Sequence, residues 1–394
     1  MMPGSTILDL FLILILFVAL VNGYRSGLLR SLTGIVGAVA GGFAAFFLVP
    51  IVGDWIPTAE WRTPATIAVA ILLVLIGHSL GSSVGGMVGS RKRRSPLGTL
   101  NRVLGAGFAA VASALVASMV AFSIGTLGIP FLSPMIASST VVSGINSLTP
   151  DSVKAVMAEL RSQAVQQGLP RIVDAFTGPI PDAAEADTSS PALAVAAASV
   201  VRITGTAYAC GQSQSGSGFV VSDDRVITNA HVVAGVDQPV VETPAGQALA
   251  GKIVYFDSVD DLAIISVPGL NAAPLSVGED LPAGSGAVAD GYPFGGPYVS
   301  DPAQVISIGT ISVADIYGQD PTPREVYTVA SDVQQGESGG PLLSESGLVV
   351  GVVFAKASNT DNVGYALALE EVQPVISQAS GLSEPVSSGT CVRG

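Results

Sequence analysis

Four long apolar stretches in the first 129 residues restrict the folds open to this chain more than any other feature of it. They lie at residues 7–21, 32–49, 64–87 and 103–127. A helix rises about 1.5 Å per residue, so stretches of this kind can cross the roughly 30 Å of hydrocarbon in a bilayer. No basic segment precedes the first stretch and Asp9 stands near its start, which argues against a cleaved signal peptide. The sequence therefore predicts a four-helix transmembrane bundle over residues 1–129.

Charge divides the chain near residue 130. Residues 1–129 hold eight Lys/Arg and three Asp/Glu, whereas residues 130–394 hold nine and twenty-seven. A basic, apolar half suits a membrane with a cytoplasmic face, and an acidic half suits a soluble domain that repels nucleic acid. The lipid bilayer is therefore an expected partner and nucleic acid is not.

The charges of the loops between the apolar stretches predict the orientation. Arg25 and Arg30 lie in the first loop and residues 91–94 are all basic in the third, whereas the second loop contains Asp54 and Glu60. Basic loops stay in the cytoplasm. The sequence predicts a multi-pass protein of the cell (inner) membrane, with everything after residue 130 in the periplasm or another extracytoplasmic space.

Small residues and one histidine mark the apolar half. Residues 34–42 and 81–86 are rich in Gly, Ala and Ser, which let helices approach closely. His78 is the one ionisable residue deep in a span, and such a residue is a functional candidate by default. A packed, hydrogen-bonded His78 is the alternative. Through residues 23–27 and 100–105 this half resembles the colicin V production protein family, which consists of small four-helix membrane proteins.

Residues 130–197 have the composition of a connector. Residues 147–152 offer an N-cap and a proline in the first turn, and apolar residues follow at helical spacing. One amphipathic helix is predicted near 150–167. The run from 178 to 199 has few side chains that could pack, so we expect a mobile tether that is exposed to proteolysis, including self-cleavage.

From Val200 onward the pattern changes to short β-branched runs separated by Gly, Pro and Asp. This pattern is typical of an all-β domain, here over residues 198–394. Alternation alone leaves two architectures open, paired barrels or a sandwich.

Three residue types in a fixed order suggest the chemistry of this domain. His231 is its single histidine, the pair Asp260 and Asp261 follows 29 and 30 residues later, and Ser338 lies in the glycine-rich segment 336–341. Alone, each has an ordinary alternative: a structural histidine at a strand end, a solvated turn and a loop. Together they offer a nucleophile, a general base and a carboxylate that orients it, beside backbone amides that can bind an oxyanion.

These motifs resemble those of the trypsin-like (chymotrypsin-fold) serine proteases, in the bacterial branch that includes the HtrA proteases. Residues 228–231, 261–264 and 336–341 match the histidine, aspartate and serine motifs of that family. With the four-helix domain in front, the whole chain is similar to the MarP-like membrane proteases of mycobacteria. The resemblance implies a double β-barrel, no cofactor, and a role in tolerance of acid and oxidative stress in the cell envelope.

The resemblance also assigns roles to residues. Ser338 matches the nucleophile, His231 the general base and Asp261 the orienting carboxylate, with Asp260 as the alternative. The backbone N–H groups of Gly336 and Ser338 match the oxyanion hole.

Two acidic residues near the serine add to this assignment. Asp332 matches the position at the base of the trypsin specificity pocket, which implies cleavage after Lys or Arg, although this loop varies in length among bacterial relatives. Glu337 stands where Asp is common, so an ion pair made by that carboxylate would differ in reach.

The two cysteines, Cys210 and Cys391, bracket the catalytic domain on the oxidising side of the predicted topology. A disulfide is expected, it matches a cysteine pair in the MarP-like family, and two free thiols are the alternative. Two distant cysteines and one histidine lack the spacing of metal ligands, so no metal is expected.

The sequence therefore predicts a membrane-anchored, extracytoplasmic serine endopeptidase that acts on proteins or peptides of the cell envelope. The alternative is a membrane adaptor or secretion-associated protein whose protease fold mainly binds peptides. An intact set of His231, Asp261 and Ser338 argues against that alternative, because a binding module needs none of them.

Overall fold

The structure is a computed structural model that describes residues 4–55, 59–89, 96–125, 128–130, 132–164, 170–172, 186–210, 212–358, 360 and 362–392. The chain divides into two compact units, residues 1–118 and 119–394. The domain boundaries expected at residues 129 and 197 stay predictions. Most of the expected tether and the basic loop at 91–94 lie outside the described residues.

Four long helices begin the chain: α1 (Gly4–Ser26), α2 (Leu28–Trp55), α3 (Ala59–Gly89) and α4 (Pro96–Gly125). Among the described residues, three stretches are long and apolar enough to cross a membrane, namely Ser5–Ser26, Leu28–Ala45 and Gly98–Phe122. The apolar part described in α3, Leu72–Met87, is shorter. The apolar character of this half is confirmed, and the number of spans stays a prediction.

Glycines bring α2 and α3 into backbone contact. A Cβ added to Gly37 would meet the carbonyl oxygen of Gly77, and a Cβ on Gly77 would meet that of Gly37. His78 lies at the same contact, where a Cβ on Gly34 would come 2.9 Å from the His78 Cε1 atom. The small residues of α2 and α3 therefore allow the close approach that their spacing suggests, since no side chains hold these two helices apart.

Three shorter helices follow α4 in the second unit: α5 (Leu132–Ala137), α6 (Thr140–Leu148) and α7 (Asp151–Ala164). The amphipathic helix expected near 150–167 corresponds to α7. Ser139 caps α6, because its side chain accepts a hydrogen bond from the Val142 N–H at 3.1 Å. A short strand, β1 (Arg171–Ile172), and the helix α8 (Pro191–Ala197) then lead into the strand-rich region.

Two sheets, each of seven strands within the described residues, form the rest of this unit. The strands of the first sheet are β2 (Val200–Ala207), β3 (Gln212–Ser222), β4 (Arg225–Thr228), β5 (Val240–Glu242), β6 (Ala248–Ala250), β7 (Lys252–Asp257) and β8 (Leu262–Ser266). They lie in the order β6-β5-β2-β3-β4-β8-β7.

The second sheet contains β1 and β9 (Gly286–Gly291), β10 (Val299–Val313), β11 (Thr322–Ala330), β12 (Pro341–Ser344), β13 (Val349–Ala357) and β14 (Val363–Ala368). Its order is β1-β13-β12-β9-β10-β11-β14, and β13 also pairs with β14. The prediction of a strand-rich domain is confirmed at the level of two sheets, and their description as two barrels stays a prediction.

The core lies between and within the sheets. One buried cluster joins residues of both sheets, such as Phe219 and Ile227 from the first and Val352 and Leu367 from the second. The helix α10 (Leu369–Gln378) follows β14 and buries Val372 in the same cluster. Because the sheets share this core, the loops at their junction are held in place, and the candidate site lies at that junction.

Candidate active site

His231 is fixed by a single carboxylate. It lies in a short helix, α9 (Ala230–Val233), that begins directly after Asn229 at the end of β4. The Nδ1 atom of His231 lies 2.7 Å from Asp261 Oδ2, and the His231 backbone N–H donates to Asp261 Oδ1 at 2.9 Å. The side-chain amide of Asn229 donates to the Asp261 carbonyl at 2.8 Å. Ring and helix are therefore both oriented by Asp261.

Asp261 is buried in the turn between β7 and β8 and adopts a left-handed backbone conformation with φ of 54°. Outside glycine this conformation is uncommon, and Asp is among the residues that tolerate it. The ring Nδ1 and the backbone N–H of His231 both bond to Asp261, whereas the N–H of Asp260, the alternative from sequence, donates to Asp257 Oδ1 at 3.0 Å. The structure thus joins Asp261, and not its neighbour, to the histidine.

Ser338 lies on the loop between β11 and β12 and is 3% exposed. Its Oγ has no hydrogen-bond partner among the described residues. Ser338, His231 and Asp261 line one cleft of about 1160 Å³. A hydrogen bond between nucleophile and base is often long in an unliganded enzyme and tightens when substrate binds, so this arrangement is compatible with a triad.

The loop before Ser338 presents free amides. Gly336 has a φ of 99°, and a Cβ there would come 2.5 Å from the Tyr292 carbonyl oxygen, so only glycine fits. The Gln335 carbonyl accepts a hydrogen bond from the Phe294 N–H at 2.5 Å. In a trans peptide the N–H of Gly336 points the opposite way. Within the described part of the chain, neither this N–H nor that of Ser338 donates to a protein acceptor.

An acidic cluster lies beneath the serine. Glu337 is 1% exposed, and its Oε2 accepts from the Gln334 N–H at 2.5 Å. Burial first, and then the neighbouring Asp301 carboxyl, raise the pKa of Glu337 well above its usual range. Burial and the nearby charge of Asp332 also raise the pKa of Asp301. The pairing of Glu337 with Asp301 was not expected from sequence, since the two residues are 36 positions apart.

Asp332 is exposed, its charge acts on the Asp301 and Glu337 carboxyls, and it is absent from the residues that line the cleft. The structure therefore does not bring Asp332 together with the three residues of the expected triad. The cleft is bounded instead by Gln214 of β3, by Tyr317 in the hairpin between β10 and β11, by Ile172 of β1 and by the C-terminal tail at Cys391.

The C-terminal tail also borders a second, smaller cavity of about 440 Å³, which Cys391 and Ala209 both line. A Cβ on Gly235 would come 2.8 Å from the Cys391 Sγ atom. Ala209 precedes Cys210, whose side chain lies outside the described part of the structure. Among the described residues, no group of three or more His, Cys, Asp or Glu side chains could hold a metal ion.

Comparison with known proteins identifies two family matches. Residues 216–352 match the trypsin-like peptidase domain, and residues 8–150 match the colicin V production protein family. The first match contains His231, Asp261 and Ser338. The second covers most of α1, all of α2, α3 and α4, and the short helices α5 and α6.

One relative is similar over the whole chain, and others are similar over part of it. The serine protease Rv3671c of Mycobacterium tuberculosis is 32% identical over 398 residues, which cover 99% of this chain and 100% of the relative. The crystal structure of the active form of the Rv3671c protease is 37% identical and covers 56% of this chain and 100% of that one, with a TM-score of 0.52. The putative serine protease HhoB of Synechocystis is 33% identical over 164 residues, or 41% of this chain and 39% of the relative.

Proposed function

This chain belongs to the serine protease family of Rv3671c, and we propose that it is a membrane-anchored, extracytoplasmic serine endopeptidase with the triad Ser338, His231 and Asp261. One observation carries the proposal. The carboxylate of Asp261 holds His231 Nδ1 at 2.7 Å in the same cleft that Ser338 lines. This bond places a proton on Nδ1 and leaves Nε2 as the free base.

The mechanism is acyl transfer. Ser338 Oγ attacks the carbonyl carbon of a peptide bond while His231 Nε2 takes the hydroxyl proton, and the imidazolium is stabilised by Asp261. The tetrahedral oxyanion accepts hydrogen bonds from the N–H groups of Gly336 and Ser338. Collapse of the intermediate expels the amine, which receives the proton from His231. Water then attacks the acyl-enzyme by the same route and releases the second product.

The proposed location is the outer side of the inner membrane. Apolar helices lie at the N-terminus, and the loop charges of the sequence favour an outward-facing catalytic unit. Proteins and peptides of the cell envelope are the proposed substrates, and the connector before β2 is a candidate for self-cleavage. By analogy with MarP-like proteases, we place this activity in tolerance of acid and oxidative stress.

A disulfide between Cys210 and Cys391 is part of the proposal. Its support is that Ala209, the neighbour of Cys210, and Cys391 line the same small cavity. The bridge would tie the C-terminal tail, which borders the catalytic cleft, to the first sheet. Closing a loop of this length stabilises a fold by roughly 5 kcal/mol in the chain-entropy model.

Labelling with a fluorophosphonate probe tests the proposal on the full-length protein in detergent micelles. We expect stoichiometric labelling of the wild type at Ser338, and loss of both labelling and casein hydrolysis in Ser338→Ala and His231→Ala. Ser222→Ala, which removes a hydroxyl from β3 outside the cleft, is the control and should behave as the wild type. Labelling that persists in Ser338→Ala would overturn the proposal. Full biological activity of Ser338→Ala would instead favour the adaptor alternative.

A further inference from the structure

The buried hydroxyl of Ser217 connects two loops of the catalytic cleft. Ser217 lies in β3 and is completely buried. Its Oγ donates to the Gly336 carbonyl at 2.7 Å and accepts from the Tyr292 N–H at 2.9 Å. This hydroxyl therefore donates one hydrogen bond to the loop that contains Ser338 and accepts one from the segment after β9.

The backbone of Ser217 makes two further links. Its N–H donates to the Ser338 carbonyl at 2.8 Å, and its carbonyl accepts from the Thr228 hydroxyl at 2.7 Å. Thr228 ends β4, three residues before His231. A single position in β3 thus contacts the loop of the nucleophile and the strand that leads to the base.

The segment that Ser217 contacts, residues 292–294, has a strained backbone at Phe294. Phe294 has a φ of 57°, a conformation that costs a residue with a side chain free energy. In this conformation its N–H reaches the Gln335 carbonyl. Tyr292, which Ser217 anchors, lies two residues earlier, so the hydroxyl of Ser217 also keeps Phe294 in place.

These contacts fix both peptide planes that flank Gly336. Phe294 holds the carbonyl of the plane before it, and Ser217 holds the carbonyl of the plane after it. Rotation of the plane before Gly336 would carry its N–H out of the cleft and bring the Gln335 carbonyl oxygen against the developing oxyanion. The plane after Gly336 does not contain this N–H, but the hydrogen bond from Ser217 to its carbonyl restricts the backbone rotation of Gly336 and so helps to hold the first plane in place. Electrostatic stabilisation of this kind depends on donors that are oriented before the reaction begins.

We propose that Ser217 is a positioning residue for the oxyanion hole, acting through the carbonyl of Gly336 and the N–H of Tyr292. It touches no reacting atom. This inference rests on the proposed triad and adds to it the group that keeps the Gly336 amide directed into the cleft.

Ser217→Ala in the full-length protein tests the inference. Loss of a direct oxyanion donor lowers kcat by about 10²- to 10³-fold, so loss of its support should lower kcat by about 10- to 100-fold. We expect KM to change by less than about twofold, because substrate in the ground state makes little use of the oxyanion hole. The affinity for a peptide boronic acid, which occupies that hole, should fall by the same factor as kcat.

Fluorophosphonate labelling separates positioning from a merely structural role. In Ser217→Ala the rate of labelling should fall with kcat, while the final stoichiometry remains one per chain. Ser217→Thr keeps the hydroxyl and should recover most of the rate. Ser222→Ala is the matched control, since it lies in the same strand and its Oγ has no hydrogen-bond partner among the described residues.

Two results would overturn the inference: unchanged kcat and boronate affinity in Ser217→Ala, or a lower stoichiometry with an unchanged labelling rate. If Ser217→Thr does not fold, the rate and stoichiometry of Ser217→Ala still decide. Failure of the wild type itself to be labelled would count against the proposed triad and not against the role of Ser217.

A second inference comes from the connector, where β1 pairs with the end of β13 in parallel. The Lys356 N–H donates to the Pro170 carbonyl at 3.1 Å, and the Ser358 N–H donates to the Ile172 carbonyl at 3.2 Å. Ile172 also packs against the large core cluster. Two donors, one at the end of β13 and one just after it, are therefore occupied by the chain itself.

This edge begins at the nucleophile loop. The Gly339 N–H donates to the Val353 carbonyl at 2.8 Å, and the Val353 N–H donates to the Gly340 carbonyl at 2.9 Å. The two donors that β1 occupies, Lys356 and Ser358, lie three and five residues further along the chain. Pro170 and Ile172 accordingly line the cleft together with Ser338. An extended peptide that added itself to this edge of the sheet would need the same donors.

The geometry points to β1 as an autoinhibitory strap that competes with extended peptides for the edge of β13. The strap runs parallel to β13 and therefore away from Ser338. This inference also rests on the proposed protease function, and it does not depend on the role of Ser217.

Ile172→Asp should release the strap, because a carboxylate cannot pack in the place of the isoleucine. With a chromogenic peptide substrate and full-length protein, we expect KM to fall about tenfold and kcat to stay constant, since the strap competes through two hydrogen bonds and one apolar contact. Ile172→Ala should give a smaller change in the same direction. Val195→Asp, at an exposed position of α8, is the control and should match the wild type.

Hydrogen exchange of the Lys356 and Ser358 amides gives an independent readout. Both should be protected in the wild type without substrate and should exchange faster in Ile172→Asp. Unchanged KM together with unchanged exchange would overturn the strap. If neither the wild type nor any variant hydrolyses the substrate, the result counts against the proposed function and not against the strap.

Discussion

Asp261 holds His231 at two points, with Oδ2 at 2.7 Å from the ring Nδ1 and Oδ1 accepting the backbone N–H of the same residue at 2.9 Å. One carboxylate therefore sets both the tautomer of the ring and the position of the helical turn that contains it. The left-handed backbone of Asp261 brings the carboxylate to that turn. The two contacts make Asp261 the part of the site most open to a direct test.

Asp261→Asn should lower kcat by about 10⁴-fold with little change in KM, because the amide favours the wrong tautomer of His231. Steady-state kinetics with a peptide substrate measures this loss. Asp260→Asn is the matched control at the adjacent position and should remain within about twofold of the wild type. A large loss in Asp260→Asn with an active Asp261→Asn would reverse the assignment.

Glu337 predicts how the stability of the catalytic unit depends on pH. Its pKa is raised in the folded protein, chiefly by burial and then by Asp301, whereas an unfolded glutamate has a pKa of about 4.3. The folded state thus keeps a proton that the unfolded state releases. The contribution of Glu337 is fully present below about pH 4.3 and is lost as pH rises through the folded pKa, by about 1.4 kcal/mol for each pH unit.

Glu337→Gln should therefore flatten the fall in melting temperature between about pH 4.5 and neutral pH, as measured by calorimetry. The amide stays neutral throughout this range and can still accept from the Gln334 N–H. Glu384→Gln, an exposed carboxylate in the C-terminal tail, should leave the slope as it is. An equally steep fall in Glu337→Gln would show that other groups cause it.

The proposed disulfide predicts equal effects of two substitutions. Cys210→Ser and Cys391→Ser should each lower the stability of the catalytic unit by about 2–5 kcal/mol. Reductant should destabilise the wild type by a similar amount. It should not destabilise either variant any further. Calorimetry with and without dithiothreitol measures this, and a reductant effect that persists in the variants would contradict the bridge.

The contact between α2 and α3 predicts that the stability of the first unit, residues 1–118, depends on which glycine is replaced. Gly37→Leu should destabilise this unit by about 1–3 kcal/mol, because a side chain there meets the Gly77 carbonyl. Gly42→Leu is the control on the same helix, since a Cβ there would lie 3.9 Å from the Val74 side chain, an ordinary contact. Circular dichroism during titration with sodium dodecyl sulfate compares the two, and equal losses would contradict the close approach.

Much of the fold and of the site could be predicted from local patterns. Alternating β-branched runs after Val200 predicted a strand-rich domain, and long apolar runs before residue 130 predicted the helices. His231 was identified because the domain has a single histidine. The glycines around Ser338 indicated a turn with free amides, because only glycine tolerates a φ such as that of Gly336.

Local sequence patterns could not predict the contacts between residues that are far apart in the sequence. Asp332 matched a position in the specificity pocket of trypsin, yet it is exposed and is absent from the residues that line the cleft. The role of Ser217 could not be predicted because a serine in a strand carries no local signal of its partners. Its small neighbours Gly216 and Gly218 were the available hint that another segment approaches closely there.

The sequence by itself determined which chemical groups are present and in which environment, since hydropathy, charge and glycine content act over a few residues along the chain. Only the tertiary structure decided which of Asp260 and Asp261 faces His231. It also decided that Glu337 is buried against Asp301, and that a hydroxyl of β3 supports the Gly336 peptide. Each of these relations depends on the packing of segments that are far apart in sequence, where a shift of one residue turns a side chain to the opposite face of a strand.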